Sequence, residues 1–66
     1  MIEFNKPKDR FSSISFSFEI NHKAEELEID SEEYTNNGLS IERHTLNISK
    51  EEAKSLVNYL SDWIKE

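Results

Sequence analysis

Between Phe11 and Ile20 the sequence reads FSSISFSFEI, an alternation that leaves little freedom in what the chain can fold into. In an extended strand Ile14, Phe16, Phe18 and Ile20 fall on one side, while Ser13, Ser15, Ser17 and Glu19 fall on the other. Aromatic and β-branched residues suit a half-buried pleated surface, and the serine side is polar enough to face water. A strand of this kind needs neighbours that continue its apolar side and a layer that covers it.

A second alternation follows in EELEIDSEE, Glu25 to Glu33. Leu27 and Ile29 are two residues apart, which places them on one side of a strand but about 200° apart around a helix. Glu26, Glu28, Asp30 and Glu32 then form a row on the opposite side. Asn21 to Ala24 is the natural turn between these strands, and a tight connection there pairs Phe18 with Leu27 and Phe16 with Ile29. Asn37-Gly38 is the strongest local turn signal, suited to a two-residue type I′ hairpin. It introduces a third strand, Leu39 to Ile48, with Leu27 opposite Ile48 and Ile29 opposite Leu46.

Ser49-Lys50-Glu51-Glu52 has the spacing of a capping box, so a helix starts at Ser49 or Lys50 and runs nearly to the end. Ala53, Leu56, Val57, Leu60 and Ile64 make one apolar stripe on it, while Lys54, Asn58, Ser61 and Lys65 face water. The expected fold class is α+β, a three-stranded antiparallel meander packed on one face by the C-terminal helix. The core would comprise Ile14, Phe16, Phe18, Ile20, Leu27, Ile29, Leu46 and Ile48 beneath the helix stripe. Residues 1–10 add either a short fourth edge strand, from the Ile2 and Phe4 alternation, or a flexible arm, with Pro7 ending any strand. One domain spanning residues 1–66 accounts for the whole chain.

Near the hairpin tip the pattern changes phase. The same register puts Tyr34 opposite Ile41, on the face away from Leu27 and Leu46. Either paired bulges restore the alternation, or the hairpin protrudes beyond the helix and carries a second small apolar patch; the protruding arm needs fewer assumptions. Arg43 should be the cross-strand neighbour of Glu32.

Charge and composition narrow the function classes. A net charge of -6 disfavours nucleic-acid binding, which would fall to Lys6, Lys8 and Arg10 with Phe4 and Phe11 as stacking residues. With no cysteine there is no disulfide and no thiolate metal site. The N-terminus lacks a signal-peptide apolar run and no window approaches the length of a membrane span, so the chain reads as soluble and cytoplasmic. Asn47-Ile48-Ser49 matches a glycosylation pattern only formally and reads as the entry to the helix.

The acidic row admits several uses. It serves either as a solvated face that keeps a β-rich chain from aggregating, or as a surface that engages a basic groove on another protein. Carboxylates spaced about 6.8 Å apart along a strand approach the phosphate spacing of a nucleic-acid strand, so mimicry of DNA or RNA is one form of the second use. Asp30 opens a run like that of a calcium loop, but Thr35 stands where glycine is required and Ile41 where an acid is required, so no metal is expected. Glycoside hydrolysis by paired carboxylates needs a cleft that a small flat sheet does not offer.

His22 reads as a turn residue and His44 as a packed polar residue opposite Ser31, at the margin of the core-facing side. No nucleophile elbow or phosphate loop accompanies the serines, and neither an enzyme nor a cofactor is expected. Tyr59 and Trp63, four apart on a flank of the helix stripe, have the composition of an interface margin. The first strand adds an edge open to strand addition through Phe11 to Ser17, unless Ile2 to Asn5 caps it.

The leading expectation is a small non-enzymatic protein-interaction module, a regulator or inhibitor of the kind bacteria or their phages carry. Its contact residues would be Glu26, Glu28, Asp30, Glu32 and Arg43 on the sheet, with Tyr34, Ile41, Tyr59 and Trp63 as apolar contributors. The alternative is a structural homo-oligomer, a homodimer in its simplest form, joined through the Tyr59/Trp63 flank or a sheet edge.

Overall fold

A computed structural model describes all residues, Met1–Glu66. The serine and phenylalanine alternation forms strand β2, Ser12–Asn21, and the acidic alternation forms β3, Glu26–Thr35. Strand β1 is Ile2–Pro7 and β4 is Ser40–Ser49, followed by the helix α1, Lys50–Ile64. The four strands make one antiparallel sheet in the order β1-β2-β3-β4. The α+β class, the meander and the C-terminal helix are those the sequence predicts, and the N-terminal residues take the edge-strand option. Strand β1 therefore covers the edge of β2, and the free edges of the sheet are β1 and β4.

The register between β2 and β3 differs from expectation by one step of two residues. Phe18 pairs with Ile29, Ile20 with Leu27, and Phe16 with Ser31. The reason lies in the connection, which spans His22 to Glu25 instead of a tight pair. Asn21 Oδ1 accepts from the amides of Lys23 and Ala24 at 3.1 Å each, and Glu25 takes a positive φ of 55°. A slip of two residues preserves side-chain parity, so Phe16, Phe18, Leu27 and Ile29 still share a face.

The β3–β4 pairing matches expectation from Leu27↔Ile48 and Ile29↔Leu46 as far as Glu33↔Glu42. At the tip it departs. The loop is three residues long, with the Gly38 amide donating to the Thr35 carbonyl at 2.9 Å and the Thr35 amide to the Leu39 carbonyl at 2.8 Å. Gly38 has a φ of 88° while Asn37 does not enter the positive region, so the turn is the three-residue type with glycine in the left-handed position, and not type I′. That loop shifts the register by one, and a bulge beside Glu33/Tyr34 shifts it back, leaving Tyr34 opposite Ser40 and Ile41 without a partner.

The tip is also not a free arm. The Asn36 amide donates to the Phe11 carbonyl at 3.0 Å, and Asn36 Nδ2 donates to the Arg10 carbonyl at 2.7 Å. On the adjoining β1–β2 loop, Asp9 Oδ1 accepts from the amides of Phe11 and Ser12, at 2.8 and 2.9 Å, and from Ser12 Oγ at 3.1 Å. Lys8 and Glu33 form an ion pair beside it. Ser12, 5% exposed, is the one buried residue of the chain.

At the other end Ser49 is both the last residue of β4 and the cap of α1. Its hydroxyl accepts from the Glu52 amide at 3.1 Å, and its own amide donates to Glu52 Oε1 at 2.9 Å. With no loop between strand and helix, α1 touches only β3 and β4. It meets the sheet around its first turn, where Ala53 shares a hollow with Ile20 and Leu27. The core expected beneath the stripe is therefore not formed within one chain: no apolar residue is buried. Leu46 is 60% exposed and Val57 59%, and the molecule is a broad slab of 37 × 35 × 15 Å.

Replacing Ser49 by alanine removes both halves of the capping box and should cost about 1 kcal/mol. Thermal unfolding followed by circular dichroism checks it: Ser49→Ala lowers the midpoint, and Ser49→Asp retains most of it.

Candidate functional site

Because each strand alternates and the four strands are in register, the sheet has two faces of opposite chemistry. On the first, the pairs Ile2↔Phe18, Phe18↔Ile29 and Ile29↔Leu46 make one apolar row across all four strands. Ile20, Leu27 and Ile48 make a second row beside it. Phe4 and Phe18 meet edge to face, with ring centroids 6.1 Å apart. Beyond Phe16 and Phe4 the face turns polar, through Ser31, His44, Lys6, Glu33 and Glu42.

Ile14, Phe16, Phe18, Leu27, Ile29 and Ile48 are half-buried. Ile20 and Leu46, nearer the ends and edge, are exposed. The helix stripe continues this surface from the hollow at Ala53 through Leu56 and Leu60, each more than a third exposed, to Ile64. The expected contact residues Tyr59 and Trp63 are exposed on the helix as well.

The second face carries the acidic row. Glu26, Glu28, Asp30 and Glu32 alternate along β3 and pair with Asn21, Glu19, Ser17 and Ser15 on one side, and with Ser49, Asn47, Thr45 and Arg43 on the other. The structure thus brings the four carboxylates and Arg43 together. Arg43 is opposite Glu32 in register, as expected, while its guanidinium reaches diagonally to form its ion pair with Asp30 Oδ2 at 3.2 Å.

Asp30 also accepts from the Thr45 hydroxyl, while Glu32 accepts from Ser40 Oγ at 3.1 Å and Glu28 from Asn21 Nδ2 at 3.4 Å. Glu3, which the sequence reading left out, extends the row onto β1 and accepts from Ser15 Oγ at 3.1 Å. Its signal was the Ile2 and Phe4 alternation, which already placed Glu3 on the opposite side. Met1, Glu3, Ser15, Ser17, Asp30, Glu32 and Arg43 line one shallow hollow here.

Tyr34 belongs to this acidic face, where its hydroxyl donates to Asn5 Oδ1 at 3.3 Å. Ile41 is the bulged residue, so the paired Tyr34–Ile41 patch does not form. His22 lies in the β2–β3 loop as expected. His44 is opposite Ser31, but in place of a packed role it is exposed, with Nε2 3.0 Å from Glu42 Oε1. Asp30 to Thr35 are strand residues with side chains on alternating faces, an arrangement unlike a coordinating loop.

No family model, curated protein or solved structure matches this chain. No helix is long and apolar enough to cross a membrane.

The Asp30 carboxyl is held below its ordinary value of 3.8, first by the Thr45 hydroxyl and then by the Arg43 guanidinium. A carboxylate whose value is lowered by folding contributes stability above its unfolded value, and loses it as pH falls through the lowered folded value. Asp30→Asn should therefore be less stable than the parent near neutral pH, with the two converging below about pH 4. Urea midpoints measured across that range check it; parallel profiles would remove the role assigned to Asp30.

Proposed function

We propose that this chain is a small non-enzymatic protein-interaction module, a regulator or inhibitor, that assembles through its apolar face and engages a basic protein surface through its acidic face. One observation carries the reading: the sheet is a single layer with an apolar side and a carboxylate side, and no apolar residue is buried, the helix meeting the apolar side only around its first turn. An exposed contiguous apolar patch marks an interaction surface. Carboxylates in a row at about 6.8 Å intervals offer repeated ion-pair sites to a groove lined with lysine and arginine.

The environment of the row supports recognition more than chemistry. Its carboxylates are oriented by Thr45, Ser40, Asn21 and Arg43, so part of the ordering cost of a charged interface is met before binding. The hollow between them is shallow and open, whereas acid-base catalysis needs a cleft that surrounds its substrate. Arg43 neutralises part of the row at the β4 side, leaving the Glu26 and Glu28 end as the stronger attractant for a cation.

Affinity capture from a native extract, followed by titration of the purified partner, tests the acidic face. The variant with Glu26, Glu28, Asp30 and Glu32 changed to serine should bind that partner at least tenfold more weakly, while remaining folded by circular dichroism. A control losing the same charge at Glu25, Glu51, Asp62 and Glu66 should bind as the parent does. Equal binding by the row variant would reject the acidic face as the contact surface.

A further inference from the structure

The second binding surface, the apolar one, has an occupant whose chemistry is on the same chain. The sheet face presents the rows Ile2, Phe18, Ile29, Leu46 and Ile20, Leu27, Ile48, and the helix presents Leu56, Val57, Leu60 and Ile64. These are the two halves of a sheet-and-helix core, left apart. Their dimensions agree: the first row crosses three strand spacings, about 14 Å, and the stripe from Ala53 to Ile64 extends about 16 Å along the helix.

What keeps them apart is the junction at Ser49. Its φ of -74° and ψ of 167° keep the chain extended up to the first helical residue, and no residue is left over to reverse the chain direction. The helix therefore projects from the end of the sheet, meeting it only near Ala53.

The missing surface has a measurable size. The chain exposes 5729 Å², whereas a compact protein of 7.8 kDa exposes about 4,400 Å². Its radius of gyration is 14.3 Å, against about 11 Å for a compact chain of this length. The excess of about 1,300 Å² per chain, doubled, falls within the range of obligate homodimer interfaces, which run from about 2,000 Å² upward. A two-fold arrangement covers a sheet face and a helix stripe on each copy with one type of contact used twice.

We infer that the apolar face is completed by a second copy of this chain, the helix of each copy lying on the sheet of the other. The inference rests on the reading of that face as a binding surface, and it leaves both acidic faces outward. It differs from a dimer through the Tyr59/Trp63 flank or a sheet edge, because the central stripe residues are the ones covered.

Light scattering coupled to size exclusion at tens of micromolar should give twice the chain mass of 7.8 kDa; a monomer or a trimer overturns the inference. Leu56→Lys with Leu60→Lys should abolish the dimer. Since that variant can also unfold, a second test uses the absence of cysteine. Chains carrying only Phe18→Cys are mixed with chains carrying only Leu60→Cys and oxidised. Mixed disulfides between the two should predominate, whereas predominance of Phe18→Cys pairs or of Leu60→Cys pairs overturns the helix-on-sheet arrangement. A monomer that still captures a basic partner sinks this inference alone; a dimer that captures none sinks the acidic-face reading alone.

Discussion

Cross-strand pairing of Phe18 with Ile29, and of Ile29 with Leu46, fixes which side of every strand is apolar, and the rest of the molecule answers to that constraint. With side chains alternating at a period of two, placing these residues together forces Glu26, Glu28, Asp30 and Glu32 into a row on the reverse. The apolar side must then be covered, because burial of apolar surface is the main term opposing the chain entropy lost on folding, about 1–2 kcal/mol per residue for the backbone alone. A single layer cannot provide that cover, and the helix that could do so meets the sheet only around its first turn.

The two ends of the sheet are built differently. At the tip, Asn36 ties the β3–β4 loop to the β1–β2 loop by donating to the Phe11 and Arg10 carbonyls, while Asp9 and Ser12 close the β1–β2 loop on itself, which joins the two loops within the chain. At the other end, the capping box at Ser49 starts the helix with no connecting residue. The tip end is tied together within the chain, and the helix end is open. A second chain that enters there meets a surface already ordered by the sheet, which lowers the entropic cost of association.

Much of the fold was legible because the period-2 signal survives local errors. The β2–β3 connection proved longer than a tight turn, yet a slip of two residues left every side chain on its expected face. The turn at Gly38 was placed correctly but typed wrongly, since a three-residue loop and a two-residue loop use the same Asn-Gly pair. The bulge that compensates it, at Ile41, carries no turn residue to announce it. The four carboxylates of β3 were legible as a row, because membership depends on parity alone, whereas Glu3 joins them only once residues 2–7 form a strand; the Arg43 contact was not legible, since a long side chain chooses between Glu32 and Asp30 by diagonal reach. The amphipathic helix was readable from its stripe, but a stripe states only that something covers it. Whether that cover lies in the same chain depends on the length of the junction, and Ser49 serving at once as strand end and cap leaves none.

A sheet with a carboxylate side and an apolar side, and a helix that meets it only around its first turn, are the features on which the proposed contacts with other protein surfaces rest. The most direct measurement of that dependence is the thermal midpoint across a wide range of protein concentrations. Folding coupled to association makes the midpoint rise with concentration by mass action. The account predicts such a rise; a midpoint independent of concentration, in a chain that stays folded when dilute, would contradict it.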